Sequence, residues 1–256
     1  MSSSRSLPIG ASVGARHVRK FLRSGLLVPS LLMPCMLFAA FAGGLSAVSK
    51  TPNFGYPSYT SFIFVFVLFL GAAYVAAFSA GAFLPDLEGH FMTRMMLATP
   101  RRNAILAGVV AAGIAEAIFV VAILFGIGLA AGITVHGSPL QILAIVALAL
   151  LLNVAVSLWA MGVALRMRSS GAEALMQLPV FAVLFLAPVF VPRALLGGWL
   201  KTAAEVNPLT PLLEAGRGLL ISSPVHVGLA FISAAGLIGL FLLWALTGLR
   251  RVEREP

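Results

Sequence analysis

Six long apolar runs set the pattern of this chain: residues 26–47, 62–84, 104–133, 142–165, 174–191 and 227–249. Most approach or exceed the roughly 20 helical residues needed to cross a hydrocarbon layer about 30 Å thick. The pattern predicts an all-α polytopic membrane protein: six transmembrane helices in a single transmembrane domain over 1–256. The fifth run is the shortest and contains Pro179 and Pro188. Kinks there are tolerable where neighbouring helices satisfy the freed carbonyls.

Composition strengthens this reading. Hydrophobic residues make up 60% of the chain and charged residues 10%, with a mean hydropathy of +1.04. Soluble domains are nearer half apolar and a quarter charged, and lipid is a solvent for the excess. The net charge of +9 would suggest nucleic acid in a soluble protein. Here the cations flank apolar runs, so topology accounts for them and no nucleic-acid partner is expected. Cys35 is the one cysteine, which excludes disulfide frameworks and cysteine metal sites.

With the N-terminus inside, 13 of the 17 Lys and Arg residues fall on the cytoplasmic side. Only Lys50, Arg193, Lys201 and Arg217 fall outside. That asymmetry predicts a multi-pass protein with both termini cytoplasmic. The first run is longer than a signal-peptide core and follows some 25 residues, so it is expected to stay uncleaved. Arginine outnumbers lysine 14 to 3, a bias associated with GC-rich bacterial genomes; a bacterial cytoplasmic membrane is the expected location. Before the first run, Arg16, Arg19, Lys20 and Arg23 share one helical face, with Val18, Phe21 and Leu22 opposite. Residues 12–24 thus read as an amphipathic helix on anionic membrane lipid. The rows Ala72-Ala76-Ala80, Ala73-Ala77-Gly81 and Gly128-Gly132 suit close helix packing, within one subunit or between two.

Two loops depart from plain linkers. In the cytoplasmic one, Asp86 suits an N-cap, Glu88 a first helical turn, and Pro100 lies just beyond the end. Leu87, Phe91 and Met95 form an apolar stripe on this helix, 86–98. Such a ridge docks into another protein, lies on the membrane surface, or packs beneath the bundle. On the outer side, 192–221 carries two semi-apolar stretches, each too short to cross, separated by Asn207-Pro208. They read as a re-entrant helical hairpin in which Thr210 caps a helix beginning at Pro211 and Glu214 pairs with Arg217. Glu116 is the acid inside an apolar run, expected near the interface and bonded to Asn153 or Gln177, with ion coupling as the alternative.

No phosphate-binding loop, zinc-protease motif or serine-hydrolase elbow occurs, and His17, His90, His136 and His226 are scattered. No catalytic residues, metal or cofactor are therefore expected in this chain. An ion-gradient-driven secondary transporter is the competing reading, but only Glu116 supplies intramembrane charge and no inverted repeat is evident.

The basic lead-in, six runs and two loop motifs together resemble the membrane subunit of an ABC-2-type ATP-binding-cassette exporter. The motifs are Asp86, Glu88, Gly89, Arg94 and Pro100-Arg101-Arg102, then Asn207-Pro208-Leu209-Thr210-Pro211 through Glu214 and Arg217. The likeness is greatest to daunorubicin-type drug-efflux permeases. The resemblance implies that 86–98 is a coupling helix, seated on an ABC ATPase subunit that holds ATP and Mg, through Asp86, Leu87, Glu88, Gly89, Phe91, Arg94 and Met95. It implies that 192–221 is an extracellular re-entrant hairpin with Asn207, Pro208, Thr210, Pro211, Glu214 and Arg217 as its site residues. It also implies a second permease, identical or a paralogue, facing this one across a path. Phe62, Phe66, Phe69, Tyr74, Phe181 and Phe185 are expected to line that path for an amphipathic drug, antibiotic or lipid.

Overall fold

A computed structural model of the chain describes residues 27–82, 84, 103–167, 169 and 171–254. The expected amphipathic helix at 12–24 and the expected coupling helix at 86–98 lie outside them. Among the described residues there is no strand, so the fold is all-α. The helices are α1 (Leu27–Gly44), α2 (Tyr59–Gly81), α3 (Asn103–Ala130), α4 (Pro139–Met167), α5 (Ala172–Phe185), α6 (Gly198–Val206), α7 (Thr210–Leu220) and α8 (Val227–Arg254). Short 3-10 turns cover Ser46–Lys50 and Arg193–Leu195.

Among the described residues, four helices are long and apolar enough to cross a membrane: α2, α3 over Leu106–Ala130, α4, and α8 over Val227–Arg250. α1 and α5 are apolar but shorter, with 18 and 14 residues. At 1.5 Å per residue α5 extends about 21 Å, less than the roughly 30 Å layer. The fifth apolar run therefore stops being helix earlier than 191, and proline chemistry explains why. Pro188 has no N–H to give the Leu184 carbonyl, so Ala187 N–H turns back to Leu184 O at 3.2 Å. That leaves the Val183 carbonyl without its helical donor.

α2 is the central helix. Ser58 caps it by accepting the Ser61 N–H at 3.1 Å. Nearly every residue after that is buried, because α1, α3, α4, α5 and α7 all pack around it. Small residues make this crowding feasible within the subunit. A side chain at Gly71 would collide with Leu124, and one at Gly128 with the Phe64 ring. Gly132 has a different role: at φ +81° it ends α3 in the left-handed region, where a side chain would have open space but a strained backbone. α8 lies along α4, where Gly162 admits the indole of Trp244.

The two ends of the bundle differ. One end gathers Lys50, Arg193, Lys201 and Arg217 with the loops before α2, after α3 and around α6–α7. There His136 and Gly137 N–H groups both bond Leu220 O, at 2.9 and 3.0 Å, joining the α3–α4 loop to α7. The opposite end holds Arg166, which stacks on Trp244 and donates to Trp244 O and Thr247 Oγ1 at 2.9 and 2.7 Å. Sequence alone divides these same cations into opposite sides.

Candidate functional site: the short-helix hairpin and its latch

Beyond α5 the backbone leaves the helix while still deep in the bundle. Unpaired carbonyls at such a depth are costly, since no lipid atom can donate to them. Side chains of other elements supply the donors. Asn207 Nδ2 donates to Val183 O at 2.6 Å, replacing the bond lost at Ala187. Arg217 Nη1 donates to Pro188 O at 2.6 Å and Nη2 to Val189 O at 3.0 Å. The Tyr59 hydroxyl donates to Phe190 O at 3.0 Å. Four acceptors across 183–190 are thus satisfied by α2, α7 and the break between α6 and α7.

Arg217 also reaches α2, donating from Nε to Phe62 O at 3.0 Å and stacking its guanidinium over the Phe62 ring at 3.5 Å. It is 1% exposed. A guanidinium suits this place because its rigid fork addresses three carbonyls in fixed directions. Gly216, next to it, lets α7 lie against α2; an added methyl would come within 2.7 Å of Val65 and 3.1 Å of Phe69.

Several sequence expectations change here. Glu214 pairs with Arg193 at 3.1 Å rather than with Arg217, three of whose N–H groups go to carbonyls of α2 and the α5 turn. Thr210 does not cap α7 through its hydroxyl. It donates instead to Ala204 O at 2.6 Å, closing the end of α6, while Pro211 sits in the first turn of α7. The backbone N–H of Leu209 is bonded by Asn207 Oδ1 at 2.8 Å, so Asn207 shapes the break and holds α5 at once. Pro208 follows in that break, leaving Asn207 extended at ψ 121°. Tyr59, Phe62 and Arg193 were missed as members of this group. Their signal is tertiary, apart from the aromatic cluster Phe54-Tyr56-Tyr59-Phe62 that lies close in sequence.

Two cavities flank the hairpin. One, of about 290 Å³, is wholly apolar and runs between α4, α5 and α8 under Pro208 and Leu209. The other, of about 360 Å³, lies at the end that carries Lys50 and Lys201 and mixes Tyr56, Arg193, Lys201, Glu205, Glu214 and Arg217. Burial raises the Tyr56 phenol pKa above its usual value; Arg217 draws it back and Glu214 pushes it up, so the phenol stays neutral and polar.

The aromatics expected along a path lie as follows. Phe62, Phe66 and Phe69 are fully buried inside the subunit. Phe66 meets Phe185 at 5.4 Å between ring centroids, and Tyr74 meets Phe181 at 5.6 Å, joining α2 to α5. The exposed face of α5 carries Leu175, Leu178 and Val183 instead. Glu116 is 2% exposed and lies midway along α3. Its neighbour is Ser79 of α2, whereas Asn153 donates to Ala72 O at 2.9 Å. Asp86, Leu87, Glu88, Gly89, Phe91, Arg94 and Met95 lie outside the described residues.

The layout of apolar helices with a latched pair of short helices accords with a sequence match. The family model described as "ABC-2 type transporter" matches residues 11–221, well over half of the chain. The chain belongs to the ABC-2 type transporter family. No curated protein matches it. It is therefore a multi-pass membrane component of an ABC transporter, a permease rather than a catalyst. Permeases of this family typically work with an ATP-binding subunit. The match ends at Ile221, so it includes α6, α7 and the whole latch, and leaves α8 outside.

Proposed function

We propose that this permease forms the membrane path of an ATP-driven exporter that moves an amphipathic drug, antibiotic or lipid out across a bacterial cytoplasmic membrane. The family match over residues 11–221 carries the reading. ATP and Mg would be bound by a separate ATPase subunit, and a second permease, identical or paralogous, would complete the path. α1 and α5 would complete six crossings: α1 with its flanking turn, and α5 with the latched segment to 191. Residues 192–221 would form the re-entrant hairpin at the exit. The apolar spans on either side of buried α2 favour a substrate with a large apolar part.

The reading is tested by the composition of the purified complex, which should contain an ATPase. The expected ridge Leu87-Phe91-Met95 gives a sharper test. A burying aromatic anchor is worth about 2 kcal/mol or more at a docking site, and a carboxylate buried there without a partner costs more than a lost contact. Phe91→Ala and Leu87→Asp should therefore weaken ATPase association at least tenfold and stop export, with membrane insertion unchanged. Normal association and export by both variants would remove 86–98 from the coupling role.

Orientation is tested separately. In a Cys35→Ala background, cysteine introduced at Lys50 or Lys201 should react with an impermeant maleimide in intact cells, as the 13-to-4 cation split requires. Reaction only after permeabilisation would invert the topology.

A further inference from the structure

We infer that the polar cavity at the outer end is a binding site for the phosphate of an anionic amphiphile's head group. This rests on the export reading and adds where and by what chemistry the head group is held. The cavity is about 360 Å³, many times the roughly 30 Å³ that one water occupies. Its walls carry three cations, Arg193, Lys201 and Arg217, against two carboxylates, Glu205 and Glu214.

The donors left over in the cavity decide its preference. Glu214 is engaged by Arg193 through Nε, which leaves both terminal nitrogens of Arg193 for another acceptor. Arg217 spends three of its N–H bonds on carbonyls; a guanidinium has five, so two remain on a group that borders the cavity. Lys201 is exposed and has no ion pair among the described residues. Planar forks and an ammonium converging on one space match the tetrahedral oxygens of a phosphate ester. The two carboxylates keep the net wall charge at about +1, which suits a phosphodiester with one negative charge better than a dianion.

Depth favours an amphiphile over a free anion. The cavity sits beside the first turn of α2 and the turn after α5, where the apolar spans end. Head groups occupy that level of a bilayer while their chains remain alongside the helices.

The test uses the full chain, purified in detergent, titrated with phosphatidylglycerol bearing a fluorescent acyl chain. Diacylglycerol with the same chains is the neutral control, and inorganic phosphate is the free-anion control. Phosphatidylglycerol should bind about tenfold more tightly than diacylglycerol at low salt, and less so as salt rises. Lys201→Glu, at an exposed position that leaves the latch intact, should abolish that preference without changing diacylglycerol binding. Equal binding of the two lipids, or a preference unaltered by Lys201→Glu, overturns the site. Displacement of the labelled lipid by inorganic phosphate at the lipid's own affinity would assign the cavity to free anions and overturn the amphiphile. If the preference holds and depends on Lys201 but no ATPase co-purifies, the export reading fails while the site stands.

Discussion

Arg217→Met should leave the permease inserted but should lower its stability by about 3 kcal/mol and abolish export. The methionine fills most of the volume and removes the buried charge, which by itself is favourable. It cannot replace the bonds to Phe62 O, Pro188 O and Val189 O. Phe62 O keeps its helical donor within α2, but a buried carbonyl left with no donor at all costs about 1–3 kcal/mol. The other two, at 188 and 189, lie just beyond the end of α5, where no following helical turn supplies an amide. Leaving these two acceptors without donors outweighs the relief of one desolvated cation, because they stay buried where they are. Arg217→Lys keeps the charge but not the fork, and one ammonium cannot span α2 and the α5 turn in the same geometry. It should fall between the two. Thermal unfolding in detergent, with export measured in vesicles, checks the order wild type, Lys, Met. Arg217→Met with unchanged stability would show that the carbonyls find other donors.

How far sequence reaches into this structure depends on the range of the interaction that decides each feature. The long apolar runs specify α2, α3, α4 and α8 because the requirement is local: an apolar segment of sufficient length. The break at Asn207-Pro208 is local too, since Pro208 restricts the residue before it and Pro211 fits only a helix's first turn. α5 is different. Pro188 was visible, but whether the chain kinks there or leaves the helix depends on donors from Tyr59, Asn207 and Arg217, up to 131 residues away. The i, i+3 spacing of Glu214 and Arg217 pointed to a surface pair worth a few tenths of a kcal/mol. Burial among carbonyls changes what an arginine does best, and Glu214 turned to Arg193 instead. Glu116 was expected to bond Asn153 or Gln177. The helix instead buries it against Ser79, near the α4 polar residues Asn153 and Ser157 that border Gly113. Which helix is central was only hinted at, by the alanine and glycine rows of α2, since hydropathy is alike across the spans.

Asn207→Asp should separate the hairpin from α5 while keeping nearly the same shape, and export should fall tenfold or more. The asparagine serves two directions: its Oδ1 accepts from Leu209 N–H, and its Nδ2 donates to Val183 O. Aspartate preserves the first bond and strengthens it by charge. It turns the second into a carboxylate oxygen facing a carbonyl oxygen in a site only 7% exposed. That contact is repulsive, and the Val183 carbonyl has no helical donor to fall back on because Ala187 N–H is committed to Leu184 O. The cost of an unmet buried acceptor plus a partly desolvated charge is about 2–4 kcal/mol. α6 and α7 survive, since their own hydrogen bonds, the Thr210–Ala204 contact and Arg217 are untouched. The hairpin should therefore remain helical but dock less tightly on α5. Cysteines introduced at Val183 and Leu209 should cross-link readily in wild type and poorly in the variant. Asn207→Leu controls for charge: it loses both bonds, so it should also loosen the turn at Leu209 and lower stability further than Asn207→Asp at low pH, where the aspartate regains a proton to donate. Undiminished cross-linking and export in Asn207→Asp would mean that the hydrogen bond to Val183 does not hold the hairpin.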